Sequence, residues 1–313
     1  MRHHMKPRRI PKIEPITLSD TCNQRCLFCS AYRAMPAHTD AQIAVIIARS
    51  DRQVIIGGWE PTVSARLEKV VRQAASAGIQ SIAVFTNAIR LSDKKYADRL
   101  IDAGVTIFNI NFPAHTSKLS DSITQTPGAF EKRVSAIKHL LTRRGRTAVS
   151  LCFVVSSVNY KILPAYAEYV ADNFPGIEHV TLNMVCVSGW ASIAVSLVPK
   201  LSDIEPYLKA AAAIFMKRRI TCIIDNVPLC RMRGFEYASV AARYIVVDGA
   251  KSVAADKTYL RAACCAKCKL KQICLGLRQD YYNLNGSEEL MPSRKSARSI
   301  TMKILEGKRE KAR

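Results

Sequence analysis

The sequence predicts an α/β protein with a parallel sheet covered by helices, followed by a small cysteine-rich C-terminal segment. Three observations carry this. Between about residues 16 and 185, strand-like apolar segments alternate with amphipathic helix-like ones. The central strands are apolar almost throughout, as in sheets covered on both faces. Most of the eleven cysteines cluster, at 22, 26 and 29 and again at 230, 264, 265, 268 and 274.

"PITLS" is the first strand and "QVIIGG" the second. "TVSARLEKVVRQAASAG" follows as a helix, with Val63, Leu67, Val70, Val71 and Ala74 on one face and Gly78 as its stop. "SIAVFTN" is a strand, and "SDKKYADRLIDAG" a helix with Ser92 as N-cap and Gly104 as stop. "VTIFNINF" is a strand. "PGAFEKRVSAIKHLLTRR" is a helix with Pro127 at its first position and Phe130, Val134, Ile137 and Leu141 on its buried face. "TAVSLCFVVSS", "YKILPAYAEYVADNF" and "GIEHVTLNMVCV" give a strand, a helix and a sixth strand, and a longer helix lies at about 202–218.

The 313 residues suffice for one large α/β domain with a small appendage. No apolar run reaches bilayer length; the longest, "AQIAVIIA" at 41–48, is core-sized. The start, "MRHHMKPRRIPK", is basic with no apolar stretch after it, so it does not read as a secretory signal, and a cytoplasmic protein is expected. The net charge of +22 raises the prospect of a polyanionic partner such as RNA, DNA or an anionic lipid surface; a solvated basic surface is the plainer alternative. In a reducing compartment, clustered cysteines argue for metal ligands over disulfides. Cys152, Cys186 and Cys222 stand alone in apolar stretches and read as small hydrophobes.

In parallel α/β folds, chemistry gathers at the C-terminal ends of the strands. The loop after the first strand holds "CNQRCLFC", and the loop after the second is "GGWEPT". Asn109 and Asn111 share one face of the fourth strand by period-two alternation, which suggests a lined cavity. A [4Fe–4S] cubane has four irons, each normally taking one thiolate. Cys22, Cys26 and Cys29 supply three, which would leave one iron open to a small molecule. Zinc favours paired C-x2-C knuckles instead, so it is the weaker alternative at this loop.

"CNQRCLFC", with Phe28 before the last cysteine, resembles the C-x3-C-x2-C loop of radical S-adenosylmethionine enzymes. The resemblance covers about residues 12–190. It implies a partial (β/α)6 TIM-like barrel, a cluster held by Cys22, Cys26 and Cys29, and S-adenosylmethionine chelated at the open iron. In that family, reductive cleavage of S-adenosylmethionine gives a 5′-deoxyadenosyl radical that abstracts a substrate hydrogen. "GGWEPT" is similar to the family's glycine-rich loop, so Gly57, Gly58 and Glu60 are implied in holding the methionine amine. Here Trp59 separates Gly58 from Glu60, and a backbone carbonyl is the alternative contact. Asn87 in "FTNA", with Asn109 and Asn111, is implied in cofactor binding.

Cys230, Cys265, Cys268 and Cys274 could ligate a second [4Fe–4S] cluster, with zinc as the alternative and Cys264 as a substitute for Cys265. The C-x2-C-x5-C spacing resembles the auxiliary-cluster extensions called twitch and SPASM domains. Position 278 is Arg where a SPASM domain would have a further cysteine, so the shorter twitch-like form fits better. The expected organisation is a basic arm at 1–12, the barrel at 13–218, the auxiliary domain at 219–290 and a basic tail at 291–313. Segment 220–290 reads as too polar and irregular to fold on core burial alone, so that metal binding would supply much of its folding energy. A peptide substrate is expected first, then RNA or a small molecule. An electron donor such as flavodoxin or ferredoxin is the expected partner. A non-catalytic iron–sulfur or zinc scaffold with a nucleic-acid-binding surface is the competing class. His115 and the terminal His3 and His4 read as surface residues, His139 and His179 as facing solvent, Cys186 as a core thiol, and Tyr281 and Tyr282 as packing the small domain.

Overall fold

The computed structural model describes residues 14–31, 36–248 and 258–311. The arm at 1–12, with His3 and His4, lies outside them. Seven strands run parallel in chain order: β1 Ile16–Thr17, β2 Gln53–Gly57, β3 Ser81–Thr86, β4 Ile107–Asn111, β5 Ala148–Val155, β6 His179–Met184 and β7 Cys222–Asp225. Helices connect them: α1 Asp40–Arg49, α2 Leu67–Ser76, α3 Lys94–Ala103, α4 Ser117–Thr124, α5 Ala129–Leu141, α6 Leu163–Asn173 and α7 Leu201–Lys217. Consecutive βα units winding one way, with β1 and β7 as edges, make an incomplete barrel. On the sheet face covered by the helices, Ile56, Val84, Phe108, Leu151 and Leu182 are fully buried, as the apolar strands require.

The sheet thus has one strand more than the sequence indicates. β7 is four residues long, directly follows α7, and continues the sheet past residue 218 into the segment expected to be separate. "AQIAVIIA" is the helix α1, whose capping box joins Thr39 and Gln42. The N-cap of α3 is Asp93, not Ser92: its carboxylate accepts from the N–H groups of Lys95 and Tyr96, while 90–92 form a 3₁₀ turn. Pro127 precedes α5 rather than opening it, because the Asp121 carboxylate takes the N–H groups of Gly128 and Phe130.

The buried face of α5 is rotated from the expected one. Ala129, Arg133, Ala136, Ile137 and Leu140 are buried, whereas Phe130, Val134 and Leu141 are only partly so. An arginine occupies the inner face because it has hydrogen-bond partners there. His139 does not face solvent; it meets the Asp98 carboxylate at 3.0 Å beside Arg143. His179 shares a hydrogen bond with Ser150.

The Arg143 hydrogen bonds, then His139, hold the Asp98 carboxyl down at about 2. A depressed carboxyl stabilises the fold above its unfolded value near pH 4, and that contribution disappears as pH falls through about 2. Asp98→Asn is expected to flatten the loss of thermal stability across this acid window. The effect is modest because the pair is partly exposed. Melting curves of both proteins between pH 7 and 2 check this.

Beyond β7 come α8 Val240–Asp248, an antiparallel pair β8 Tyr259–Leu260 and β9 Leu277–Arg278, α9 Gln279–Asn285 and α10 Ala297–Lys311. This part is less polar inside than its sequence suggests: Leu270, Ile273, Leu277, Leu290, Ile300 and Ile304 join the main core. Tyr281 is buried, accepts from the Leu201 N–H and donates to Glu289, fastening α9 to α7; Tyr282 is exposed instead. No helix among the described residues is long and apolar enough to cross a membrane.

Candidate active site

The loop after β1 brings Cys22, Cys26 and Cys29 together, and main-chain bonds hold its shape. The N–H groups of Arg25 and Leu27 donate to the carbonyls of Thr124 and Ile123 at the end of α4, at 3.2 and 3.0 Å. On the other side, the Trp190 N–H donates to the Cys29 carbonyl at 3.0 Å. Gly189 permits that approach. Its φ is +56°, and a Cβ there would stand 2.0 Å from the Cys29 oxygen.

The three cysteines line one cavity of about 230 Å³ with Phe28, Gly58, Glu60, Asn87, Asn109 and Asn111. All the barrel residues singled out in the sequence are therefore gathered, except Gly57, which ends β2. Gly58 has φ +90°, and a Cβ there would lie 2.8 Å from Thr17 Oγ1, so β1 leaves no room for a side chain. Asn109 and Asn111 alternate with buried Phe108 and Ile110, so both face the cavity.

Glu60 is buried, and its carboxylate is well bonded. Oε1 accepts from the Thr62 N–H at 3.0 Å and from the hydroxyls of Thr62 and Thr86, both at 2.6 Å; Oε2 accepts the Asn87 N–H at 2.7 Å. Burial nevertheless pushes this carboxyl up, against those bonds. No cation pairs with it among the described residues, and Oε2 keeps capacity for one further donor. A ligand ammonium group would suit it.

Among the described residues, two buried polar atoms of cavity residues lack protein partners: Asn111 Oδ1 and Gln24 Nε2. Buried polar atoms are nearly always bonded, so a polar ligand fits this cavity. Burial also pushes the Cys22 and Cys26 thiols up to about 11 and about 12, so metal binding must displace their protons.

Sequence reasoning missed Gln24, Cys152 and Arg133. Cys152 is no plain core thiol: it lies opposite Asn111 in the β4–β5 register and lines the cavity. Gln24 sits inside the cysteine motif, and its amide oxygen accepts from Cys26 Sγ at 3.7 Å. Only strand pairing and helix rotation expose the other two. Cys186 lies apart, half-buried, with its sulfur 3.4 Å from Asn226 Nδ2. His115 is half-buried beside Tyr169, and its Nδ1 has no hydrogen-bond partner among the described residues.

Cys230, Cys264, Cys265, Cys268 and Cys274 line a second cavity. Backbone N–H groups face four of these sulfurs: Met291 that of Cys230, Ala262 that of Cys265, Ser293 that of Cys268 at 3.3 Å, and Gly276 that of Cys274 at 3.4 Å. Such donors favour the thiolate and tune iron–sulfur clusters. Among the described residues, no three His, Cys, Asp or Glu side chains converge as they would around one metal ion.

Fold and site together define an α/β-barrel enzyme class built around a three-cysteine cluster loop. Residues 16–170 match the family model described as the radical SAM superfamily, and over that span the chain belongs to this superfamily of enzymes. Its cofactors are a [4Fe–4S] cluster and S-adenosylmethionine. Among curated proteins, the chain is similar to a probable GTP 3′,8-cyclase of Sulfurisphaera tokodaii, 25% identical over 204 residues, 63% of each chain. It is also similar to a GTP 3′,8-cyclase of Alkaliphilus metalliredigens, 29% identical over 189 residues, 56% of this chain and 58% of that one. The chain thus spans somewhat less than two thirds of these relatives' length. Among solved structures, Streptococcus suis SuiB bound to S-adenosylmethionine superposes with a TM-score of 0.52 at 14% identity, covering 80% of this chain and 52% of that one. At that identity the likeness is one of fold.

Proposed function

We propose that the protein is a radical SAM enzyme that acts on a small anionic molecule, with a purine nucleoside triphosphate as the first candidate. The catalytic part of this reading rests on one observation: Cys22, Cys26, Cys29, Glu60, Asn87, Asn109 and Asn111 line a single cavity at the C-terminal ends of the strands. In this reading the cysteines hold the cluster by three irons. When bound, the cluster and S-adenosylmethionine supply an electron and a carbon radical. Glu60 would receive the methionine ammonium, Asn109 and Asn111 would bond its polar groups, and Phe28 would shield the cluster edge.

The relatives' names support a small-molecule substrate, and the net charge of +22 suits an anionic one. The peptide expectation gains no such support. Cys230, Cys265, Cys268 and Cys274 would hold the auxiliary cluster, and flavodoxin or ferredoxin would deliver electrons.

Anaerobic reduced enzyme is expected to convert S-adenosylmethionine to 5′-deoxyadenosine and methionine, faster with GTP present. Absence of 5′-deoxyadenosine would overturn the radical reading. Turnover indifferent to GTP would overturn the substrate candidate. Glu60→Gln should weaken S-adenosylmethionine binding by about tenfold, or ~1.4 kcal/mol, in calorimetry on the reconstituted protein. Unchanged affinity would move the ammonium contact to a backbone carbonyl of Gly58 or Trp59.

A further inference from the structure

Arg133 is fully buried on α5, directly behind the three-cysteine loop. Its Nε donates to the Asn87 carbonyl at 3.1 Å, Nη1 to Ser120 Oγ at 3.0 Å and Nη2 to Gln24 Oε1 at 3.4 Å. All three partners are neutral, and the guanidinium forms no ion pair among the described residues. The Asp121 and Glu60 carboxylates act on it from a distance without an ion pair, and a buried cation with no paired anion is costly. Its neighbours lead to the cysteines. Gln24 Oε1 also accepts from Cys26 Sγ at 3.7 Å, and Asn87 Nδ2 lies 3.8 Å from Cys22 Sγ.

We infer that Arg133 is the built-in counter-charge of the N-terminal cluster, raising its reduction potential and orienting the loop through Gln24 and Asn87. This rests on the reading that Cys22, Cys26 and Cys29 hold that cluster. Three thiolates on an oxidised [4Fe–4S]²⁺ core leave a net charge of −1, and one-electron reduction makes it −2. A fixed cation close behind the thiolates stabilises both states and the reduced one more, so it favours uptake of the electron. Arg133 acts through the loop and the field, and is a positioning residue rather than a catalytic one.

The test is a redox titration, followed by electron paramagnetic resonance, of reconstituted wild type, R133M and R133K. The N-terminal cluster is identified as the one whose signal changes on adding S-adenosylmethionine. At the wild-type midpoint, the reduced-to-oxidised ratio of R133M should fall about tenfold, a midpoint about 59 mV more negative for a one-electron couple. R133K, which keeps the charge, should stay near wild type. R133M unchanged, or R133K shifted as far as R133M, overturns the inference. If R133M does not fold, R133Q replaces it. Failure of both neutral variants while R133K folds cluster-free would show that the fold needs the cation without the cluster, which also overturns it. Failure of the underlying reading is distinct: the wild type would then carry no iron that is lost from a variant lacking Cys22, Cys26 and Cys29.

Discussion

Changing Cys22, Cys26 and Cys29 together to Ala is expected to lower the iron of the anaerobically reconstituted protein from roughly eight per chain to about four. 5′-Deoxyadenosine formation should disappear with it. The loop should keep its place in the variant. Its contacts to Thr124, Ile123 and Trp190 are main-chain hydrogen bonds that no thiol takes part in. Loss of iron would then report lost ligands rather than a lost fold, and an unchanged melting curve of the cluster-free protein checks that. The remaining iron would sit with Cys230, Cys265, Cys268 and Cys274, which line a separate cavity. Retention of one zinc in place of four irons would make that second site structural and remove any auxiliary redox role. No iron in the wild type would remove the radical chemistry altogether.

Gly189→Ala is expected to be nearly as damaging, although residue 189 carries no chemistry. A Cβ there would stand 2.0 Å from the Cys29 carbonyl oxygen, a separation no real contact reaches. The turn after β6 or the end of the cysteine loop must therefore move, breaking the Trp190–Cys29 hydrogen bond. The left-handed backbone at this position adds about 1–3 kcal/mol for a non-glycine residue. The variant should lose much of its N-terminal cluster iron and melt at a lower temperature. Gly128→Ala is the control. Its φ of +73° is also left-handed, but nothing lies within 4 Å of the added carbon. It should show only the conformational cost and keep its iron. Equal iron loss in both variants would mean that backbone strain, and not the Cys29 contact, is responsible.

Much of the site was legible because its chemistry is local in the chain. The three cysteines fall within eight residues, and Gly58 and Glu60 follow the next strand, so motif spacing alone placed them at strand ends. Asn109 and Asn111 were legible for a different reason: period-two alternation puts both on one face of β4 whatever its neighbours are. Helix caps fared less well. Ser92 and Asp93 are both capable N-caps, and the choice fell to a 3₁₀ turn that uses Ser92. On α5, two overlapping apolar stripes compete, one through Phe130 and Val134, the other through Ala129 and Ala136. An arginine lies on the second, which hydrophobic patterning counts as outward.

By itself, the sequence determined the alternating α/β architecture, the cysteine loop and the grouping of C-terminal thiols, because each depends on residue type and spacing along the chain. The tertiary structure alone decided what lies across the gaps between elements. It added β7 to the sheet and set Cys152 beside Asn111 through strand register. It also turned Arg133 inward against Gln24, 109 residues away in the chain. Such contacts arise only when distant segments pack. Packing selects among local alternatives that differ by about 1 kcal/mol in the isolated chain, too little for local propensity to decide.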